Sequence, residues 1–423
     1  MKSFMNVHKG TRQKLVVTIE GRGGKFMKFM KKMSGVLVAA VLLAAMTAGC
    51  GGGGGAKKPA DNKAAAAEAL IGANYELTGN VASYGQAALA GGKMAVDEIN
   101  KAGGINGKKL RIVEADNKSE PSESGNAATK LISQNKLIGI VGPATSGCTM
   151  AAEPIVTASK LPVVAPTATA ESITVGKDGK TRQFVFRACF IDPFQGKVMA
   201  AFANQKLKVK TVAIYRDNSS DYSKGLAEAF KKNFEAAGGK IVAEEAYLAK
   251  DMDFKAGLTK LKATNPEAIY VPGYYEEVGK IVKQAREIGL EVPMMGGDGW
   301  DSPKLIEIAG KAALNKTYYS SAYSADDTDP STQKFIKAFK EKYQKDPDFF
   351  SMMGYNTVVI LADAYKRAGS EDGTKIAEAM AKTKDLPVAG GKLTYDDKHN
   401  PIVPALIIEV KDGKPTFVDK IAF

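Results

Sequence analysis

The sequence contains few of the side chains that bind transition metals. Among its 423 residues are two histidines, His8 and His399, and three cysteines, Cys50, Cys148 and Cys189. Zinc sites use clustered cysteine, histidine or carboxylate ligands, and because no such cluster is present, no metal site is expected. Cys148 and Cys189 could form a disulfide if the chain is exported. Their spacing carries no pairing information, so two buried thiols remain the alternative.

The motifs of nucleotide-dependent and hydrolytic enzymes are also missing. After residue 49 the sequence has no Gly-x4-Gly-Lys-Ser/Thr loop, and Gly139-Ile-Val-Gly142 does not supply the Gly-x-Gly-x-x-Gly turn that binds a dinucleotide. A Ser–His–acid triad would depend on His399, which falls in the turn-forming segment Asp396–Pro401 near the C-terminus. An enzyme is therefore the weaker alternative, and no cofactor is predicted.

Positive charge is concentrated at the N-terminus. The formal net charge is +13. Residues 1–49 contain nine Lys or Arg and one Glu, so the remainder has 50 basic and 45 acidic side chains, a net charge of +5. That excess is mainly lysine, and it does not form the basic surface with interleaved aromatic residues that nucleic-acid-binding proteins use. Nucleic acid is not expected as a partner.

Residues 1–49 have the pattern of a secretory signal peptide. The lysine-rich stretch Lys25–Lys32 precedes the apolar run Val36–Ala48, which has 13 residues. That run is shorter than the roughly 20 residues that span a membrane and is typical of a secretory signal. No later stretch approaches the length of a membrane span. The possible translation starts are Met1, Met27 and Met30.

The segment Thr47-Ala48-Gly49-Cys50 resembles the lipobox of bacterial lipoproteins, in which the cysteine is acylated and becomes the mature N-terminus. It departs from the usual pattern at Thr47, where leucine is common. Residues 50–67, rich in Gly, Ala, Lys and Pro, cannot bury a core and are predicted to be a flexible tether. The resemblance implies an extracytoplasmic body anchored to a bacterial membrane through a lipid on Cys50. The alternative is a cleaved signal with an incidental cysteine.

From residue 69 onward, short apolar runs alternate with amphipathic helical patterns. In one such pattern Leu226, Ala229, Phe230 and Phe234 recur at helical spacing, and Gly238 follows where the helix should end. Strand–helix–strand units of this length indicate parallel sheets covered by helices, so the predicted fold class is α/β. The predicted strands are Ala69–Ala73, Leu110–Val113, Leu137–Val141, Pro162–Ala165, Val212–Tyr215, Ile241–Val242, Ala268–Val271 and Pro293–Met295.

The alternation occurs in two series, which predicts two doubly wound parallel-sheet lobes joined by a hinge of several crossing segments, with a cleft between them. Two later helices, at about Ser331–Gln344 and Ser351–Ala368, have no sheet of their own and should pack on the first lobe. A hairpin with its turn at Lys411–Lys414 should end the chain. The predicted lobes are residues 68–189 with 323–394, and residues 190–322 with 395–423.

The loops that follow the predicted strands contain hydroxyl, aromatic and small residues. Ligands of parallel α/β sheets bind beyond the carboxyl ends of the strands, so these loops should open onto the cleft. Ser146 and Thr169 stand at or just before predicted helix starts, where free N–H groups and the helix dipole favour an anion such as a carboxylate. For either residue alone, a simple N-cap is the alternative.

Six short motifs are distributed along the body of the chain. They are Leu77–Gly79, Ser83–Gln86, Ala95–Asn100, Gly103–Gly107, Gly142–Ser146 and Met295–Asp298. Their order and spacing resemble the type I periplasmic substrate-binding proteins of ABC transporters for leucine, isoleucine and valine. The resemblance implies a monomer whose lobes close on an amino acid, branched-chain or otherwise hydrophobic, and deliver it to the transporter's permease and ATPase. A lipid-tethered sensor with the same cleft is the alternative.

The resemblance also implies roles for individual residues. Ser146, Thr167 and Thr169 would hold the α-carboxylate of the ligand, and Asp298 would pair with its α-ammonium. The leucine-binding members have Glu where this chain has Asp298, which leaves the specificity open to aromatic amino acids, small polar amino acids or amides. The full predicted ligand-binding set is Tyr84, Ser146, Thr167, Ala168, Thr169, Tyr222, Tyr274, Asp298, Trp300 and Phe350.

Overall fold

The computed structural model describes residues 67–421 of the chain. The predicted signal peptide at residues 1–49, the predicted lipidation site Cys50 and the predicted tether up to residue 66 lie outside the described residues. Within residues 67–421, no helix combines the length and apolar character that crossing a membrane requires.

A fully parallel five-stranded sheet forms the centre of the first lobe. Its elements in chain order are β1 (Glu68–Tyr75), α1 (Ala82–Lys101), β2 (Lys109–Asp116), α2 (Pro121–Gln134), β3 (Leu137–Val141), α3 (Ser146–Ala158), β4 (Val163–Ala165) and β5 (Val185–Arg187). The strands lie in the order β2-β1-β3-β4-β5. Central residues such as Ile71 and Val141 are fully buried, as expected where helices cover both faces of a parallel sheet.

The next series of alternating elements builds most of the second lobe. These elements are α4 (Asp192–Gln205), β6 (Thr211–Asp217), α5 (Asp221–Ala236), β7 (Lys240–Tyr247), α6 (Lys255–Ala263), β8 (Ala268–Tyr270), α7 (Tyr275–Glu287), β9 (Met294–Gly296), α8 (Pro303–Ala309) and β10 (Thr317–Ser321). Helix α5 buries Leu226, Phe230 and Phe234, the face that the sequence pattern predicts.

The last part of the chain contributes to both lobes. It contains α9 (Pro330–Tyr343), α10 (Phe349–Ala368), α11 (Gly373–Ala381), β11 (Leu386–Val388), β12 (Gly391–Leu393), β13 (Ala405–Lys411) and β14 (Lys414–Ile421). Strands β13 and β14 extend the second sheet, whose order is β14-β13-β10-β9-β8-β6-β7. β13 pairs antiparallel with both β10 and β14, so this sheet is mixed, whereas the first is parallel throughout.

Helix α10 packs on α1 of the first lobe at very close range, as the sequence predicts for the late helices. A Cβ atom at Gly91 would lie 1.9 Å from the Ser351 carbonyl oxygen, and one at Gly354 would lie 2.1 Å from the Ala88 carbonyl oxygen. Glycine is therefore required on both helices for their backbones to approach. The chain passes from the first lobe to the second after β5, returns after β10 to the helices that pack on the first lobe, and passes back to the second sheet after β12. These three crossings connect the lobes.

The α/β fold class is confirmed, and each of the eight predicted strands overlaps an observed strand. The turn at Lys411–Lys414 joins β13 to β14 as predicted. Strands β5 and β10 were not predicted: β5 has three residues, and β10 is the polar sequence Thr-Tyr-Tyr-Ser-Ser. Strands β6 to β10 of the second sheet are parallel, and the predicted terminal hairpin adds two antiparallel strands at its edge.

Candidate ligand-binding site

A small cavity with an empty volume of about 210 Å³ lies between the lobes, beside loops that follow the carboxyl ends of sheet strands. Seven of the ten predicted ligand-binding residues line it, and they come from both lobes. The lining residues are Tyr84, Ala144, Thr145, Ser146, Thr167 and Phe350 on the first lobe, and Tyr222, Tyr274, Asp298 and Gly299 on the second.

Asp298 is the carboxylate of this cavity, and it is 2% exposed. It opens a 3₁₀ turn directly after β9. Tyr222 Oη donates to its Oδ1 at 2.9 Å, and Gln195 Nε2 donates to the same oxygen at 3.0 Å. Burial raises the pKa of Asp298 to about 6, against these two hydrogen bonds, which lower it. At neutral pH the cavity therefore contains a desolvated negative charge, a site for a cation.

Aromatic rings from both lobes form the walls of the cavity. Tyr84 stacks on Phe350 with ring centroids 3.9 Å apart and planes 9° apart. Tyr222 stacks on Tyr274 at 5.1 Å and 3°, and Tyr84 meets Tyr274 edge to face at 5.8 Å. Burial raises the pKa of all three tyrosines well above the ordinary value, so their hydroxyls stay neutral. These walls suit an apolar group, and their faces also attract a cation.

The N-terminus of α3 reaches the cavity through Ser146, the first residue of the helix, as predicted. The buried carboxylate of Glu76 accepts from the backbone N–H groups of Ala144 and Thr145, both at 3.0 Å, and from Thr145 Oγ1 at 2.8 Å. Glu76 therefore fixes the loop that leads into the helix. The following N–H groups of the first turn have no intrahelical partner, and the helix dipole makes this end attractive to an anion.

The hydroxyl groups near this helix end are already engaged within the first lobe. Thr167 Oγ1 donates to the Ala144 carbonyl oxygen at 2.8 Å, and Ser146 Oγ accepts from the Ala170 N–H at 3.2 Å. These bonds tie the loop after β4 to the loop after β3. The two hydroxyls can still accept or donate a further hydrogen bond, because each uses only one bond here.

Three of the predicted residues do not line the cavity. Ala168 and Thr169 are fully buried, and Arg187 Nη1 donates to the Ala168 carbonyl oxygen at 2.8 Å. The sequence predicts a helix start at or just after Thr169. Only a 3₁₀ turn, Glu171–Ile173, follows it. The backbone on either side of Thr169 is instead held by the Arg187 guanidinium, which donates to the carbonyl oxygens of Ala168 and Ala170.

Trp300, the third of these predicted residues, also lies outside the cavity lining. Its ring is fully buried in the core of the second lobe, where Nε1 donates to the Val271 carbonyl oxygen at 2.9 Å. The ring occupies space left by Gly296, at which a Cβ atom would lie 2.0 Å from Trp300 Nε1. Trp300 therefore packs against the end of β9, the strand that leads into the Asp298 loop.

Hydrogen bonds join the two lobes around the cavity. Tyr84 Oη donates to the Gly299 carbonyl oxygen and accepts from the Tyr275 N–H at 3.3 Å. Asn80 Nδ2 donates to Glu277 Oε1 at 2.8 Å. The lobes are thus in direct contact, and the structure is a closed form in which the cavity is enclosed by both lobes.

Cys148, Cys189 and His399 lie outside the cavity lining. Cys148 and Cys189 are buried free thiols, so the described chain contains no bridge between them. His399 lies in its predicted turn but is 8% exposed, stacked on Phe186 at 4.0 Å with Nδ1 3.0 Å from the Val185 carbonyl oxygen. Burial lowers its pKa. Within residues 67–421, no group of three or more His, Cys, Asp or Glu side chains could hold a metal ion.

Comparison with known proteins identifies a family for this chain. A family model described as periplasmic binding protein matches residues 69–415. The leucine-, isoleucine-, valine-, threonine- and alanine-binding protein of Pseudomonas aeruginosa is 34% identical over 323 residues, which are 76% of this chain and 84% of that protein. The Leu/Ile/Val-binding protein BraC3 of Rhizobium johnstonii is 34% identical over 332 residues, 78% of this chain and 88% of that protein.

Solved structures agree with these relatives. The leucine-binding protein LivK of Thermotoga maritima has 35% sequence identity and a TM-score of 0.79, covering 84% of this chain and 98% of that one. LivJ of Streptococcus pneumoniae, solved in complex with isoleucine, has 38% identity and a TM-score of 0.79, covering 84% of this chain and 99% of that one. Both structures therefore share the fold described above over nearly their whole length.

These matches confirm the prediction of a binding protein rather than an enzyme, since the family consists of substrate-binding transport proteins. They also confirm an extracytoplasmic protein at the level of the family. The family match begins near β1 and ends at the start of β14, so it includes every residue that lines the cavity. The chain belongs to the periplasmic binding protein family.

Proposed function

We propose that the protein captures an α-amino acid in the cavity between its lobes and delivers it to the permease and ATPase of an ABC transporter. The observation that carries this proposal is that one cavity combines a buried carboxylate, Asp298, with the N-terminus of α3 and four aromatic rings. This combination offers partners to an ammonium group, a carboxylate and an apolar side chain at once.

The three parts of the ligand would bind as follows. The α-ammonium pairs with Asp298 and faces the stacked tyrosines, which adds a cation–π attraction. The α-carboxylate lies at the N-terminus of α3, near Ser146 and Thr167. The side chain lies between the rings of Tyr84 and Phe350 and those of the second lobe. A hydrophobic side chain, branched-chain above all, suits these walls, and relatives named for leucine, isoleucine and valine support this class.

Capture would use hinge motion between the two lobes, residues 68–189 with 323–394 and residues 190–322 with 395–423. A ligand whose ammonium binds the second lobe and whose carboxylate binds the first can make both contacts only when the lobes are together. It therefore shifts the population toward the closed form.

The mature protein would remain at the membrane outside the cytoplasm. Cleavage before Cys50 and acylation of that cysteine anchor the chain, and residues 50–67 let a monomeric body reach the permease. A soluble exported form with an incidental cysteine, and a sensor that signals to a receptor, are the alternatives. A pull-down in detergent separates the transporter role from the sensor role, because the first recovers permease subunits and the second a receptor.

A ligand panel tests the proposed substrate class. With the mature protein, each α-amino acid is added in a thermal unfolding assay, and an α-keto acid of matching side chain is the control because it lacks the ammonium. A ligand present at 100 times its dissociation constant stabilises the folded state by about 2.7 kcal/mol. We expect at least one amino acid to do this while its keto acid does not. A full panel without effect would contradict the proposal.

A further inference from the structure

Gln195, on α4 of the second lobe, makes four side-chain hydrogen bonds beside the cavity, although the sequence analysis did not predict a role for it. It is fully buried. Its Nε2 lies 3.0 Å from Asp298 Oδ1 and 3.4 Å from Asp192 Oδ1. Its Oε1 accepts from the Asp298 N–H at 3.1 Å and from Ser320 Oγ at 2.7 Å. The side-chain amide is thus bound on all sides.

These bonds leave the Gln195 amide a single orientation. A primary amide has two N–H donors and an oxygen that accepts two hydrogen bonds, and here each of these is used. The backbone N–H of Asp298 can only donate, so the amide oxygen must face it and the amide nitrogen must face the carboxylates. A buried side chain whose hydrogen bonds are all satisfied is rigid and holds its neighbours in place.

The same bonds orient the Asp298 carboxylate. Both side-chain donors that reach it, Gln195 Nε2 and Tyr222 Oη, bind Oδ1. Within the described residues no side-chain donor binds the other oxygen, Oδ2, and Asp298 lines the cavity. Because Gln195, Tyr222 and Asp298 all belong to the second lobe, this arrangement persists when the lobes separate.

We propose that Gln195 is a positioning residue for ligand capture: it turns Oδ2 of Asp298 toward the ligand's ammonium and keeps the carboxylate ionised. This inference rests on the proposed function, in which Asp298 binds the ammonium. Gln195 itself does not line the cavity, so its effect on affinity would pass through Asp298.

The surroundings of Asp298 explain why such a donor is needed. Asp192, which is 1% exposed, accepts from the same Gln195 amide that donates to Asp298. Two carboxylates in one buried site repel each other. Burial raises the pKa of Asp192 well above its ordinary value, and the nearby Asp298 adds to that rise. The fully buried guanidinium of Arg187 opposes it. The other titratable groups that face Asp298 are Tyr84, Cys189, Tyr222, Tyr270, Tyr274 and Asp301.

The expected consequence is a displaced pH dependence of binding. In the parent protein the affinity for the amino acid identified by the panel should decline as the pH falls below about 6, because protonated Asp298 cannot pair with an ammonium. Gln195→Met keeps the approximate size of the side chain but removes the donor. Protonation of Asp298 then occurs at higher pH, so we expect the midpoint of the decline to rise by about one pH unit or more. At pH 7 a rise of one unit lowers the affinity about twofold through protonation alone, and the loss of carboxylate orientation should lower it further.

The experiment is calorimetric titration between pH 5 and pH 8.5 on folded mature protein. Gln195→Glu is the second variant; its ionised carboxylate cannot donate, so it should displace the midpoint in the same direction. Ser320→Ala, which removes one bond to Oε1 and none to Asp298, should displace it less. The matched control is Asn356→Leu, which removes a buried amide of the first lobe that bonds only to Ala389 and should leave the midpoint unchanged.

Binding by Asp298→Asn distinguishes failure of the Gln195 proposal from failure of the proposed function. If the folded Gln195 variants keep the parent midpoint and an affinity within about threefold, while Asp298→Asn binds weakly, Gln195 is not a positioning residue and the proposed function stands. If Asp298→Asn itself binds like the parent, the ammonium site is wrong and both proposals are overturned.

Discussion

Asp298 should lower the stability of the ligand-free protein at neutral pH, and Asp298→Asn should relieve that cost. Burial raises the folded-state pKa to about 6 from an ordinary 3.8. The difference corresponds to up to about 3 kcal/mol at 1.36 kcal/mol per pKa unit. A raised carboxyl pKa favours the folded state below pH 3.8, where the group is protonated in both states, and this stabilisation is lost as the pH rises through about 6.

The assay is urea unfolding of the ligand-free parent and of Asp298→Asn at several pH values from 4 to 8. The asparagine has no charge to desolvate, so the stability of the variant relative to the parent should increase by up to about 3 kcal/mol across this range. Titrating groups that do not interact with Asp298 cancel in the difference, and the relief of Asp192 from the Asp298 charge acts in the same direction as the predicted trend. A stability difference that is constant from pH 4 to pH 8 would refute the reasoning.

Asp116→Asn is a matched control, because its stability difference from the parent should change with pH in the opposite direction. Burial acts to raise the pKa of Asp116, but hydrogen bonds from Thr78, Lys118 and Leu77 together lower it. Its ionised form therefore stabilises the fold above the ordinary pKa, and this contribution is lost as the pH falls. Asp116→Asn should be destabilising at pH 7 and progressively less so in acid, so the two variants should show opposite pH trends.

Three further predictions address anchoring, the tryptophan and closure. Cys50→Ser should move the protein from the membrane to the soluble fraction in cell fractionation, and unaltered membrane association would contradict lipidation. Trp300→Phe should lower the unfolding free energy by about 1–3 kcal/mol, because the buried Val271 carbonyl loses its donor; ligand affinity changed more than about threefold (0.7 kcal/mol) would contradict its supporting role. Tyr84→Phe, which loses its bond to Gly299 across the lobes, should weaken binding and enlarge the ligand-free radius in small-angle scattering; an unchanged radius would show that this bond does not favour closure.

The fold was largely predictable because its signals are local. Buried strands such as β3 are continuous apolar runs, and α5 carries its apolar residues on one face. Strand β10 escaped prediction because its neighbours bury its polar side chains: Ser320 Oγ bonds to Gln195, and Ser321 Oγ donates to Asp301. Tertiary hydrogen bonds of this kind leave no periodic pattern in the sequence.

The sequence predicts a site residue well when its place in a loop after a strand is enough to bring it to the cavity. The loops after the strands contain Ser146, Thr167, Tyr222, Tyr274 and Asp298, and the structure brings these residues to one cavity. Side-chain direction was not predictable. Trp300 is two residues from Asp298, yet its ring turns into the core because Gly296 leaves space there.

Glu76 and Gln195 were missed for a related reason. Neither lines the cavity, but each forms hydrogen bonds to residues that do. A buried polar residue inside an otherwise apolar helix face, such as Gln195 on α4, is the one sequence signal that could have indicated it. Recognising that signal requires knowing which face of the helix is buried.

Calorimetric binding to Asp298→Asn at pH 8 tests most directly the central claim that Asp298 holds the ammonium of an amino acid. Asparagine is nearly isosteric, so the cavity is preserved while the one carboxylate that lines it among residues 67–421 is removed. Loss of one member of a buried charged pair costs about 2–5 kcal/mol, which corresponds to affinity about thirtyfold to several thousandfold weaker. That loss, for the amino acid found in the panel, is the predicted result. Binding within about threefold of the parent would contradict the account.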